Sequence, residues 1–293
     1  MKVSSLTRQG WRPIHLVAAA VLVAAAVAIT HLAWRDMFRI AWGDEENGHD
    51  LLAIPAFIWL AWIRRGRLRH CQPRGRWVGT VMIALGWATT SFGFRHQVQS
   101  FWHGGAVVMA VGAMITALGS DILWQFLPAF GVLVFLVPVV AHVRELIAVP
   151  LQVWTAHATQ ICCEVLGLDV ARQQSLLTVN GVQVAIAEAC NGMRMVFALI
   201  MVCYLFAFVN PLRGWVRFLL IVLSPITAAV FNIIRLVPTV WVYDHFSTQT
   251  ANTFHDITGW VMLLAAFLTM MGFLRLLRWA MVPITHFRLV DIA

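Results

Sequence analysis

The chain has 293 residues, of which 60% are hydrophobic and 12% charged, and its formal charge is +8. A soluble domain carries about a quarter charged residues, so the composition excludes a water-soluble enzyme and indicates an integral membrane protein. The arginines sit between apolar runs, where they act as topology determinants; this excludes nucleic acid as a partner.

The apolar runs are roughly 20 residues long and do not alternate, which argues for helices rather than an outer-membrane barrel. The expected fold is an all-α polytopic membrane protein with about eight spans. In chain order they are predicted at 13–34, 47–63, 77–94, 101–119, 121–140, 191–210, 215–236 and 256–277. The first run follows Lys2, Arg8 and Arg12. Its apolar core is long for a signal peptide, which favours an uncleaved anchor. Fourteen tryptophans suit a protein with much surface at the membrane interface.

Arginine also sets the orientation. The segment Arg64–Arg76 holds Arg64, Arg65, Arg67, Arg69, Arg74 and Arg76, and it is expected on the cytoplasmic side. Both termini then fall inside, as does the loop with Arg213 and Arg217. The segment from Arg35 to Asp50, with its Asp44-Glu45-Glu46, falls outside. This assignment holds only if residues 142–168 do not cross. Most of the polar residues from His142 to Glu164 share one helical face there, predicting an interfacial or re-entrant amphipathic helix. Next, Asn180-Gly181 between two β-type runs predicts a short outer hairpin, whose free edge is suited to docking an extended peptide or to a purely structural part. With no internal repeat and no linker, residues 1–293 read as a single membrane domain.

The chemistry concentrates where that hairpin ends. Glu188-Ala189-Cys190-Asn191-Gly192-Met193-Arg194 places a cysteine at the outer start of a helix, where free N–H groups and the helix dipole favour a thiolate. Gly192 removes bulk beside it, and Arg194 is four residues away on the same face. The other cysteines, Cys71, Cys162, Cys163 and Cys203, have no comparable surroundings. Five cysteines without regular spacing give neither a disulfide framework nor a zinc pattern. No metal or other cofactor is expected. Arg235, at the boundary of the next apolar run, needs a partner or a task, and Asn232 lies one turn earlier on its face. His255 precedes the last run; His245 and His157 compete with it for the role of a general base.

Glu-Ala-Cys-x-Gly-x-Arg, then Asn-x-x-Arg, then His-x-x-x-Gly resembles the exosortase/archaeosortase membrane transpeptidases. Here the three motifs are Glu188–Arg194, Asn232–Arg235 and His255–Gly259, and the similarity runs over about residues 44–270. The chain has Asn191 where the family usually has serine, and Gly48-His49 where His-Gly is more usual; both mark a divergent subgroup. The resemblance implies a cysteine-dependent peptidase or transpeptidase of the bacterial cytoplasmic (inner) membrane with its active site facing the periplasm or exterior. Its implied partners are exported proteins ending in a short motif, a hydrophobic helix and a basic tail, together with membrane lipids and an acceptor at the cell surface. It implies Cys190 as nucleophile with Arg235 and His255 as catalytic partners. Glu188, Asn191, Gly192, Arg194 and Asn232 support them or bind substrate. The alternatives are a purely hydrolytic protease of signal remnants using the same residues, a membrane transporter, and a non-enzymatic scaffold.

Overall fold

A computed structural model describes residues 12–43, 51–138, 141–179, 182–185, 192–280, 282 and 284–285; the side chains of 141–144, 147, 179, 182–185 and 192–194 are not among those described. Helix dominates, as the apolar runs require, because a backbone in lipid must satisfy its polar groups internally. The chain divides into two compact units, Met1–Ala141 and His142–Ala293.

In the first unit, α1 (Pro13–Ile29) and α2 (His31–Gly43) meet at a 77° bend. Thr30 sits at the break, donating its hydroxyl to the Ala26 carbonyl at 2.7 Å and accepting from the Trp34 indole at 3.0 Å. After α3 (Ala53–Ile63), the basic segment forms a 3₁₀ turn over Arg65–His70. This turn is tied to the start of α6 (Asp121–Gln125), where the Gln72 N–H donates to the Asp121 carboxylate at 3.0 Å. Helices α4 (Arg76–Arg95) and α5 (Gln99–Leu118) form the closest pair. The buried residues of α4 are Gly79, Gly86 and Gly93, seven apart on one face, and α5 answers with Gly105 and Gly112. A methyl group on Gly86 would stand 2.6 Å from the Met109 amide nitrogen and 2.8 Å from the Gly105 carbonyl. Backbone therefore packs on backbone, the contact that small residues allow in membranes. His103 of α5 is fully buried and meets Asp36 of α2 at 3.1 Å; each partner offsets the penalty of burying the other.

The second unit opens with α8 (Ala141–Val165), followed by β1 (Val170–Gln173), β2 (Leu176–Val179) and β3 (Val182–Ala185) in an antiparallel sheet of order β1-β2-β3. The sequence reading had one strand fewer, because β1 carries Arg172 and Gln173 and lacks an apolar pattern. Asn180 and Gly181 lie outside the described residues. Then come α9 (Gly192–Val209), α10 (Gly214–His245) and α11 (Thr248–Trp279). Short connections make them run up, down and up. The buried stripe of α10 recurs every fourth residue, Val216, Leu220, Ser224, Ala228, Asn232, Leu236 and Val240. It packs with Leu199 and Cys203 of α9 and Ala266 and Met270 of α11 at one end. Toward the other end it packs with Ala156 and Cys163 of α8, Val170 of β1 and Leu177 of β2.

The expectation of eight spans is not confirmed. Among the described residues four helices are long and apolar enough to cross a membrane, α4, α5, α10 and α11; the bent α1–α2 pair would make five. The predicted span 121–140 is broken into α6, α7 (Leu127–Val132) and a 3₁₀ turn over Leu133–Leu136. Pro128, which has no N–H to give a preceding turn, starts a new helix there. Among the described residues of the predicted span 47–63, the α-helix is the 11-residue α3. The segment from Arg35, expected as a loop, is helical to Gly43. Conversely, α10 and α11 are 32 residues each, about 48 Å, and overrun the ~30 Å hydrocarbon core.

Candidate functional site

The extra length of α10 and α11 places Arg235 and His255 inside helices rather than at helix ends, as the predicted boundaries 236 and 256 had it. The turn between them is short. Ser247 caps α11 by accepting the Thr250 N–H at 3.3 Å, and the Tyr243 hydroxyl donates to the Asn252 side-chain carbonyl. The far end of the unit is basic. The Arg213 N–H donates to the Ile284 carbonyl at 2.8 Å and Leu212 bridges Thr285, so the tail folds against the α9–α10 loop. Arg217 stacks on Phe208 at 5.1 Å. From Arg217 to Arg235 is about 27 Å of helix and from His255 to Arg275 about 30 Å, at 1.5 Å per residue. Both distances match the hydrocarbon thickness. Arg235 and His255 thus share one level, a bilayer away from the basic end. The first turn of α9, with Gly192 and Arg194, starts at that same end, about 27 Å along α9 from the loop at Asn210.

Arg235 is 8% exposed and His255 9%. The Arg235 Nη2 donates to the Asn232 side-chain carbonyl at 2.9 Å, the pairing expected from their spacing. The Thr239 hydroxyl donates to the Arg235 carbonyl at 2.8 Å, one turn on. Across the helix pair, a methyl group on Gly259 would stand 2.8 Å from Arg235 Nη1. Gly259 is one turn beyond His255 on the same face of α11, so the guanidinium lies against the face that carries the imidazole. This gives the His-x-x-x-Gly spacing a physical reason: the glycine leaves room for the arginine. Thr258 donates to the Phe254 and His255 carbonyls at 2.7 and 3.0 Å.

The competing histidines differ. His157 is exposed, and His245 is exposed and engaged with the Trp241 carbonyl at 3.0 Å and Asp244 at 3.3 Å. Thr239 and the packing role of Gly259 escaped the sequence reading. A hydroxyl four residues after a boundary arginine was the available signal for the first.

Glu188, Cys190 and Asn191 lie outside the described residues, as do the side chains of Gly192 and Arg194. The buried cysteines have no activating surroundings. Burial, with Asp121 nearby, pushes the Cys71 thiol up to about 11. Burial, then the neighbouring Cys162 and Glu164, does the same to Cys163. Cys203 is buried within α9 among Leu199 and Ala207. A thiolate nucleophile needs the opposite surroundings, a cation or a helix N-terminus. Among the described residues no group of three or more His, Cys, Asp or Glu is placed to hold a metal ion.

A sequence model of the family described as transmembrane exosortase matches residues 34–272, across both compact units. No curated protein and no solved structure matches the chain.

Proposed function

We propose, for a chain that belongs to the transmembrane exosortase family, a membrane-embedded cysteine peptidase that cleaves the C-terminal sorting signal of exported proteins and passes them to an acceptor. The observation that carries this reading is the buried guanidinium of Arg235, held by Asn232 and seated against Gly259 one turn from His255. An arginine at the hydrocarbon boundary is costly, and a fixed one is suited to stabilising developing negative charge.

The chemistry follows from that placement. Cys190, as a thiolate, attacks a backbone carbonyl of the substrate. The carbonyl oxygen becomes an oxyanion, and the Arg235 fork donates to it; one such donor in a water-poor site is worth about 3–4 kcal/mol of barrier. His255, as imidazolium, pairs with the thiolate and then gives its proton to the leaving amine. The C–N bond breaks, a thioester on Cys190 remains, and an amine or hydroxyl acceptor, or water, resolves it. Arg194 pairs with Glu188 or with an acidic group of the signal. The substrate's helix lies in the bilayer with its basic tail at the end of the unit that carries Arg213, Arg217 and Arg275. The enzyme sits in the bacterial inner membrane, with this site on the periplasmic side and both termini in the cytoplasm.

The test is co-expression with an exported reporter ending in a short motif, an apolar helix and arginines from the source proteome. Cys190→Ala should leave the protein in the membrane and leave the reporter full length. Processing at the wild-type rate by that variant would remove the enzymatic reading and return the transporter and scaffold alternatives to the front.

A further inference from the structure

We infer that the open edge of β3 is the docking site for the substrate's scissile segment, which binds there as an added β-strand; this rests on the proposed sorting activity and specifies its substrate contact. Among the described residues β3 pairs with β2 and with no other strand. Its register sets Val182 opposite Val179 and Val184 opposite Leu177. Two residues join Val179 to Val182, and in such a hairpin the flanking pair exchanges both of its backbone hydrogen bonds. Alternation then assigns Val182 and Val184 to the bonds with β2. The backbone N–H and C=O of Gln183 and Ala185 face the open edge. Unpaired groups of this kind accept an extended chain.

Two observations select a substrate peptide as the occupant. The first is where the sheet lies. Val170 and Leu177 pack on Leu236 and Val240 of α10, so the sheet rests on the helix immediately beyond Arg235. A strand added to this sheet therefore belongs to the part of the unit that carries the guanidinium. The second is chain continuity. Ala185, the last residue of β3, is five residues before Cys190, a reach of at most about 17 Å. A thiolate attacks a backbone carbonyl only if that carbonyl is presented outside a helix, and a strand alternates its carbonyls in a fixed register. The four residues of β3 offer two outward-facing residues, enough to grip a motif of a few residues through its backbone. Affinity then comes from the main chain, and sequence choice from side chains around it.

The experiment uses the full-length protein in membranes with the same exported reporter. Gln183→Pro removes one outward N–H and leaves the ladder to β2 intact, since proline is tolerated where the N–H faces away from the sheet. Gln183→Ala changes the side chain and keeps that N–H. The proline variant should process the reporter at least tenfold more slowly than the alanine variant, with both accumulating normally. In a Cys190→Ala background, a photo-crosslinking residue at position 183 should capture the reporter within a few residues of its motif. Wild-type processing by Gln183→Pro overturns the inference, as does a cross-link that joins two copies of this chain or captures nothing. If the proline variant does not accumulate, the cross-link decides by itself. Continued processing by Cys190→Ala would defeat the proposed activity instead, a result independent of what position 183 touches.

Discussion

The pair α4–α5 and the pair α10–α11 solve the same problem, two apolar helices side by side, by opposite means. In α4–α5 the contact face is reduced to Gly79, Gly86 and Gly93 against Gly105 and Gly112, and the polar side chains against it are hydroxyls already bonded to backbone, Thr90 to the Trp102 carbonyl at 3.0 Å and Thr116 to the Gly112 carbonyl at 2.8 Å. In α10–α11 the basic half is mainly apolar, with Leu220 and Ala228 against Ala266 and Met270, and the Ser224 hydroxyl bonded within α10 to the Ile221 carbonyl. The other half is polar, with Asn232, Arg235, Thr239 and His255 buried. Glycine-on-glycine packing gives proximity without chemistry. A buried polar end costs stability and persists because its members hold one another. A mutation in the first pair should therefore reduce the amount of folded protein, and one in the second pair should reduce turnover per molecule.

The largest effect expected under this contrast is from Arg235→Lys. Lysine keeps the charge but loses the planar fork that grips Asn232 and presents a second donor. Reporter processing per molecule should fall by about 10²–10³-fold, with membrane accumulation near wild type. A loss of accumulation matching the loss of processing would show that Arg235 is structural, and the contrast between the two pairs would fail. Next is Gly86→Val. Its branched side chain would meet the Met109 amide and the Gly105 carbonyl, and such overpacking costs about 1–3 kcal/mol. The detergent-solubilised protein should melt at a lower temperature, while the surviving fraction processes the reporter at the wild-type rate. Reduced turnover per folded molecule would tie α4–α5 to the chemistry and blur the comparison.

The two pairs were also unequally legible in the sequence. Asn232 and Arg235 were readable as a unit, because a three-residue spacing puts both on one helical face wherever the helix ends. The shared level of Arg235 and His255 was readable too, since Arg217 and Arg275 mark the other boundary. The helix limits were not. Tyr243, Ser247 and Asn252 are polar and read as a loop, yet they close a capped turn between two helices; helices that overrun the bilayer lose the apolar signal and keep their backbone bonds. In the first unit the number of spans misled for the converse reason. The run 121–140 is apolar apart from Asp121 and Gln125, but hydropathy does not register Pro128, which divides it. The glycine stripe of α4 is visible as a seven-residue repeat only once α5 supplies its counterpart.

A smaller effect is expected from Gly259→Ala, and it probes the polar end without removing a polar group. The added methyl would stand 2.8 Å from Arg235 Nη1, closer than a carbon and nitrogen can rest, so the guanidinium must shift by a fraction of an ångström. Small misplacements of a catalytic donor are expensive because its worth depends on geometry. Processing should fall about tenfold, or ~1.4 kcal/mol in barrier. Melting should scarcely change, alanine being the better helix former by about 1 kcal/mol.

The smallest effect belongs to Thr239→Val, which keeps the shape and deletes the hydroxyl that bonds the Arg235 carbonyl. That carbonyl also lies four residues before the Thr239 N–H, its ordinary helical donor, so it is not left unsatisfied. The net loss should be at most about 1 kcal/mol. A few-fold decrease in processing at unchanged accumulation would mean the hydroxyl acts through the backbone that carries the guanidinium. A decrease as large as that of Arg235→Lys would mean instead that Thr239 touches the reacting groups itself. In that case the polar end of α10–α11 extends a full turn beyond the arginine.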